Sequence, residues 1–138
     1  MLTNPDVLYA DTYELPRMSG QMPFYLSLKA IMENTYSITP ELIEYGKPTK
    51  TTYEYGKEIV DKMAEDRNLE ISNYYMIGDN PRADIAGPNR MGPNWRSILV
   101  RSGIYKQGHK LSGDFIPTYE VENMYEAVQL ILKEENLE

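Results

Sequence analysis

Apolar positions fall into short runs and helical stripes that alternate along the chain. Val7-Leu8-Tyr9-Ala10, bounded by Asn4-Pro5-Asp6 and by Asp11, predicts a buried strand entered from a turn. A loop through Pro16, Ser19, Gly20 and Pro23 follows. From Phe24 to Asn34 apolar residues recur at Phe24, Leu28, Ile31 and Met32, which predicts a helix with one solvated face, ending before Thr39-Pro40. Leu42-Ile43-Glu44-Tyr45 predicts a short strand closed by the turn Gly46-Lys47-Pro48-Thr49, because proline cannot extend a sheet ladder.

Thr51-x-x-Glu54 has the form of a capping box, and Gly56, Ile59, Val60, Met63 and Ala64 continue it as a helical apolar stripe reaching about Arg67. Tyr74-Tyr75-Met76-Ile77 is a continuous apolar run that stops at Gly78-Asp79-Asn80-Pro81, as a fully buried parallel strand should. Asn80 as cap and Pro81 in the first turn open a helix, which Gly87-Pro88 shortens or kinks. Ser97-Ile98-Leu99-Val100 predicts another buried strand, ended by Ser102-Gly103. Asn123-x-x-Glu126 starts the last helix, whose buried side carries Met124, Ala127, Val128 and Ile131.

Strands and helices that alternate with short gaps imply an α/β fold, a doubly wound parallel sheet covered by helices on both faces. In such sheets ligands sit outside the carboxyl ends of the strands. The turns Gly46-Lys47-Pro48 and Gly78-Asp79-Asn80 both fall at that edge.

Composition narrows the function classes. At 138 residues the chain has room for one domain. Fourteen Lys and Arg against 21 Asp and Glu leave a net charge of −7, which argues against a broad basic face for nucleic acid. Arg90, Arg96, Arg101, Lys106 and Lys110 form a local basic excess, read as solvated surface first and as a partner-facing patch second. The absence of cysteine removes disulfides, thiolate nucleophiles and zinc-thiolate sites. No apolar run approaches membrane-spanning length, so no membrane partner is expected, and the N-terminus shows no targeting leader, which is either absent or upstream. The lone His109 reads as a solvated loop residue.

A carboxylate fixed at a strand end with glycine before it, as at Gly78-Asp79, is suited to holding Mg²⁺ beside a phosphate. Asp84, one helical turn on, can orient Asp79 or a metal-bound water. Lys47, between a strand and a helix, can neutralise phosphate. Each has a plainer use: Asn80 and Asp84 suit a helix N-terminus, and Gly-Lys-Pro can serve only as a turn.

Gly46-Lys47-Pro48 about thirty residues before an apolar strand ending Gly-Asp-Asn-Pro-x-x-Asp resembles the haloacid dehalogenase superfamily of phosphohydrolases. The strings Met76 to Gly87, Ser97 to Tyr105 and Thr3-Asn4-Pro5-Asp6 resemble its class IIA subgroup. Tyr53-Glu54-Tyr55 and the ending Glu126 to Leu130 resemble the cat eye syndrome critical region protein branch. The resemblance implies a catalytic role for Lys47 on phosphate, Mg²⁺ held by Asp79 with Asp84 as a supporting acid, and a small phosphorylated metabolite as substrate. It further implies a cap-domain remnant over 1–40, with Ser19-Gly20-Gln21 as cap-loop candidates, and the C-terminal half of the catalytic core over 41–138. Mitochondrial relatives imply an intracellular, possible mitochondrial, location, otherwise cytoplasmic.

One departure is large. Relatives open with an Asp-x-Asp strand carrying the nucleophile and the general acid/base, and Asp-x-Asp occurs nowhere here. The chain therefore resembles the C-terminal half of such an enzyme and is expected to be inactive alone. The strand Tyr74 to Ile77 would present an unpaired edge, to be completed by a protein partner, a second copy, or a further part of a longer protein. The alternative function is a non-catalytic assembly subunit derived from such an enzyme. A phosphoacceptor receiver domain fits poorly, since Asp11 is its only candidate acid at the first strand end.

Overall fold

In chain order the elements are β1 (Leu8–Tyr9), β2 (Arg17–Met18), α1 (Gln21–Tyr36), α2 (Lys50–Glu65), β3 (Tyr74–Gly78), a π-turn (Pro81–Ile85) running into α3 (Ala86–Asn89), β4 (Trp95–Val100), a 3₁₀ turn (Gly113–Phe115), β5 (Tyr119–Val121) and α4 (Met124–Glu134). The computed structural model describes residues 1–10, 17–105 and 107–137, so Asp11, Pro16 and Lys106 lie outside the described residues. β3, β4 and β5 form a parallel sheet in that order, with Ile77 opposite Ile98 and Leu99 opposite Glu120. Three parallel strands with helical crossovers give the expected α/β, Rossmann-like arrangement.

β4 is the centre of the sheet and carries its core. Side chains alternate across a strand, so Ile98 and Val100 pack with Ala127 of α4, flanked by Tyr75, Ile77, Leu130 and Ile131. Leu99 points to the other face and packs with Ile85 and Tyr105. Ile98 and Leu99 are fully buried, each contributing roughly 1.5–3 kcal/mol of apolar transfer. Ser97, also fully buried, is satisfied by Asn89 Oδ1 (2.7 Å) and by the Thr118 amide (3.0 Å), which ties β4 to α3 and to the entry of β5.

Several expected elements differ. The Val7–Ala10 run is not a buried strand: among the described residues only Leu8–Tyr9 pairs, antiparallel with Arg17–Met18, and Val7, Leu8 and Tyr9 are exposed because no layer of described residues covers them. The expected strand Leu42–Tyr45 reduces to one parallel bridge between Glu44 and Leu2. α1 begins at Gln21, with Pro23 inside its first turn, where a missing N–H costs nothing. α2 begins at Lys50, so Thr51 is already helical and no capping box forms. Thr49 instead donates its hydroxyl to Gly46 O (2.6 Å), and Lys50 pairs with Glu54 (2.8 Å). Of α2 only Tyr53 is buried, leaving Ile59, Val60 and Met63 exposed. At α4, Asn123 accepts from the Glu126 amide (3.1 Å), while Glu126 accepts from Glu122 N. Met124 and Val128 stay exposed because one narrow stripe, centred on Ala127, meets the sheet. β5 was not expected; its three residues gain their place only by pairing with β4.

Candidate active site

The carboxyl end of β3 gathers five charged or amide side chains, Asp6, Lys47, Asp79, Asn80 and Asp84, from three parts of the chain. β3 ends at Gly78, where a Cβ would lie 2.2 Å from Asp84 Cγ; glycine is what lets the acid pack under the strand end. The next residue, Asp79, accepts the Ile104 amide on Oδ2 (2.7 Å), and its carbonyl accepts Tyr105 N (3.1 Å). Gly103 makes that contact possible, since a Cβ there would sit 1.9 Å from Asp79 Oδ2. Asn80 caps the π-turn, its Oδ1 accepting from Arg82 N (3.1 Å), and its own amide donates to Asp84 Oδ2 (3.0 Å).

Lys47 enters from the turn before α2 and donates its ammonium to Asp84 Oδ1. The turn itself is set by Gly46, at φ +115°, where a Cβ would collide with Thr3 O at 2.3 Å. The Lys47–Pro48 peptide is cis. Tyr53 of α2 is buried and donates to Ala83 O (2.7 Å), fastening the helix after Lys47 to the π-turn that carries Asp84. Burial raises the Tyr53 hydroxyl well above the usual phenol range, with the Asp84 charge adding to it.

The sequence reading did not single out Asp6 as a site residue, yet it stands in the same cluster. Its Oδ1 accepts from Asn80 Nδ2 (2.8 Å), and it lies within electrostatic reach of Lys47, Asp84 and Asp79. Burial pushes the Asp6 carboxyl above its ordinary range; Lys47 opposes this, Asp84 and Asp79 reinforce it, and the Asn80 donor lowers it. The segment is held in place by Gln21 Oε1, which accepts from Thr3 N and Asn4 N (3.0 Å each), and by the Ser19 hydroxyl on Asp6 O. Of the cap-loop candidates, Ser19 and Gln21 thus anchor Asp6, and Gly20 precedes α1. A cavity of about 440 Å³ opens beside the cluster, lined by Asp6, Val7, Leu8, Asn80, Arg82 and Ile104.

The other candidates sit elsewhere. His109 is exposed, edge-on to Tyr105 (6.1 Å between ring centres). Arg90 pairs with Asp114, and Arg101 with Glu120 and Glu122, so these two cations of the basic excess are neutralised by neighbours.

As a divalent-cation site the described residues are incomplete. Both oxygens of Asp84 are taken, by Lys47 and by Asn80 N, and one oxygen of Asp79 holds Ile104 N. No three His, Cys, Asp or Glu groups among the described residues converge as a metal set. The cluster thus brings the Lys47 ammonium together with the carboxylates of Asp6, Asp79 and Asp84.

A parallel α/β sheet with a lysine turn and an acid turn at its carboxyl end defines a Rossmann-like core. The HAD-hydrolase-like family model matches residues 44–127, and the chain belongs to this haloacid dehalogenase-like family. Among curated proteins it is 36% identical to a cardiolipin synthase (CMP-forming) / mitochondrial hydrolase fusion protein of Schizosaccharomyces pombe, over 94% of this chain and 21% of that protein. It is 28% identical to a mitochondrial hydrolase of Saccharomyces cerevisiae, over 95% of this chain and 42% of that one. The solved structure of Bs-TpNPPase shares the fold, with a TM-score of 0.55 at 21% identity, over 89% of this chain and 42% of that one. A thermostable NPPase from Geobacillus stearothermophilus gives 0.54 at 21% identity, over the same shares. The chain thus spans less than half the length of each of these relatives. No helix among the described residues is long and apolar enough to cross a membrane.

Proposed function

We propose that this chain forms the charge-neutralising half of a Mg²⁺-dependent phosphohydrolase of class IIA type, acting on a small phosphorylated metabolite. The observation that carries this reading is the ion pair between Lys47 and Asp84, set against the carboxyl end of β3 beside Asp79. Phosphoryl transfer asks chiefly for positioning and charge neutralisation. In the proposed enzyme Lys47 meets the negative charge of the phosphoryl group, and Asp84 fixes where that ammonium points. Asp79, oriented by Ile104 N, supplies one carboxylate oxygen toward Mg²⁺. The remaining cation ligands and the attacking group come from outside the described residues, so the isolated chain is expected to be inactive. Mg²⁺, when bound, supplies Lewis-acid stabilisation of phosphate charge.

The mitochondrial hydrolases among the relatives support a mitochondrial location. The rival reading, a non-catalytic assembly subunit, draws on the same observation that both Asp84 oxygens are already engaged within the chain. Phosphate release from p-nitrophenyl phosphate with Mg²⁺ separates them. It is measured on the chain alone and on the chain mixed with that part of the yeast hydrolase which this chain does not match. Turnover in the mixture only, abolished by Asp79→Ala, supports the enzyme; no turnover in either supports the subunit.

A further inference from the structure

Arg82 stands on a fixed stretch of backbone at the wall of the cavity beside the charge cluster. Asn80 Oδ1 accepts its main-chain N–H (3.1 Å), and the carbonyl of the next residue, buried Ala83, accepts the Tyr53 hydroxyl (2.7 Å). The residue itself is exposed, and its guanidinium bonds no group among the described residues. Other arginines are engaged within the chain: Arg90 and Arg101 on carboxylates, Arg67 and Arg96 on main-chain carbonyls.

Pro5, Val7, Leu8, Pro48 and Ile104 make the rest of that wall largely apolar, and Val7 and Leu8 are exposed in spite of that character. Asp6, the acid that shares the wall, accepts from Asn80 Nδ2 (2.8 Å). The cavity adjoins the cluster directly: Asp6 and Asn80 belong to both, Pro48 follows Lys47, and the Ile104 amide holds Asp79 (2.7 Å). At about 440 Å³ it exceeds what a phosphate needs. Sites for small organic molecules run to roughly 300–1,000 Å³, mostly apolar with a few polar groups that fix orientation.

We propose that Arg82 is a specificity-determining residue that holds a carboxylate of the substrate, at the end remote from its phosphate. The substrate class is then an acidic phosphomonoester with an apolar body between its two anionic ends. This rests on the reading of the lysine turn and the acid turn as the phosphate end. A guanidinium meets a carboxylate with two parallel N–H···O bonds, a match that an unengaged arginine on a fixed backbone is free to make. The apolar wall suits an aryl or alkyl body. Hydroxyls of a sugar or polyol would lose water there without replacing its hydrogen bonds, which is unfavourable.

The chain is titrated without Mg²⁺, so that no probe is hydrolysed. The probes are p-carboxyphenyl phosphate, its two halves phenyl phosphate and benzoate, and glycerol phosphate as the polyol. Amide resonances of Arg82, Ala83 and Ile104 report binding in NMR spectra. p-Carboxyphenyl phosphate should bind about tenfold or more tighter than phenyl phosphate or glycerol phosphate. Arg82→Gln should weaken its binding and that of benzoate by about tenfold, and that of phenyl phosphate by less than about twofold. Should that variant not fold, the comparison of p-carboxyphenyl phosphate with phenyl phosphate on the unaltered chain decides. Unchanged affinity for both carboxylates in Arg82→Gln overturns the proposal. So does an equal loss for phenyl phosphate, which puts Arg82 at the phosphate end. Benzoate bound through Arg82, with no affinity added by the phosphate of the full probe, keeps the carboxylate site and overturns the phosphohydrolase reading instead.

Discussion

Lys47 and Asp84, 37 positions apart in sequence, are joined by a direct ion pair in which the acid is 4% exposed and the lysine 40%. Removing the lysine leaves a nearly sealed carboxylate without its cation. Solvent at the lysine end screens part of the loss. Lys47→Met is expected to cost about 1–3 kcal/mol in urea unfolding, and Asp84→Asn added to it should recover part of that. A single variant as stable as the parent would show that the pair does not hold the turn.

Gly103 is pressed against Asp79. Gly103→Ala places a methyl group where Oδ2 and Cβ of the acid already lie, 1.9 and 2.4 Å away. We expect a loss of about 1–3 kcal/mol and displacement of the Ile104 amide resonance in NMR spectra. Gly56→Ala, with open space around it, should instead stabilise by about 0.5–1 kcal/mol.

Tyr53 links α2 to the π-turn through one hydrogen bond to Ala83 O. Tyr53→Phe keeps the ring, including its edge-to-face contact with Trp95 at 5.6 Å, and deletes only that bond. Denaturation should show a cost of about 1 kcal/mol, with Trp95 emission almost unmoved.

Asp6 carries a pH signature. Its carboxyl is raised in the folded state, chiefly by burial, so the folded chain binds this proton more tightly than the unfolded one. The sign is then opposite to that of a salt-bridged acid: this group's contribution grows as pH falls through its folded pKa and is absent well above it. Asp6→Asn removes the charge and can still accept from Asn80. Thermal unfolding from about pH 4 to 7 should show a higher Tm for this variant at the upper end and a smaller difference at the lower end. A difference that widens toward low pH contradicts the placement of Asp6.

Much of the sheet was legible because apolar runs too short for helices, Tyr74 to Ile77 and Ser97 to Val100, end at glycine-bearing turns, the first of which carries Asp79. What was not legible depends on neighbours. Val7-Leu8-Tyr9 has the composition of a buried strand, but burial needs a covering layer, and none of the described residues supplies one there. Tyr119-Glu120-Val121 is too short to stand out until β4 pairs with it. Asp6 joins the cluster through Asn80, 74 positions away. Its only local mark is the Asn4-Pro5-Asp6 turn, in which Asn4 Oδ1 accepts Asp6 N (2.9 Å).

In the proposed enzyme the lysine turn and the acid turn serve one phosphoryl group. A double-mutant cycle in the reconstituted mixture tests it, comparing kcat/KM for Lys47→Ala, Asp79→Ala and the pair. Groups that act as a unit fail together: each single change should cost roughly 10³-fold or more, and the double variant little beyond either. Losses that multiply independently would show that the two residues do not share a site.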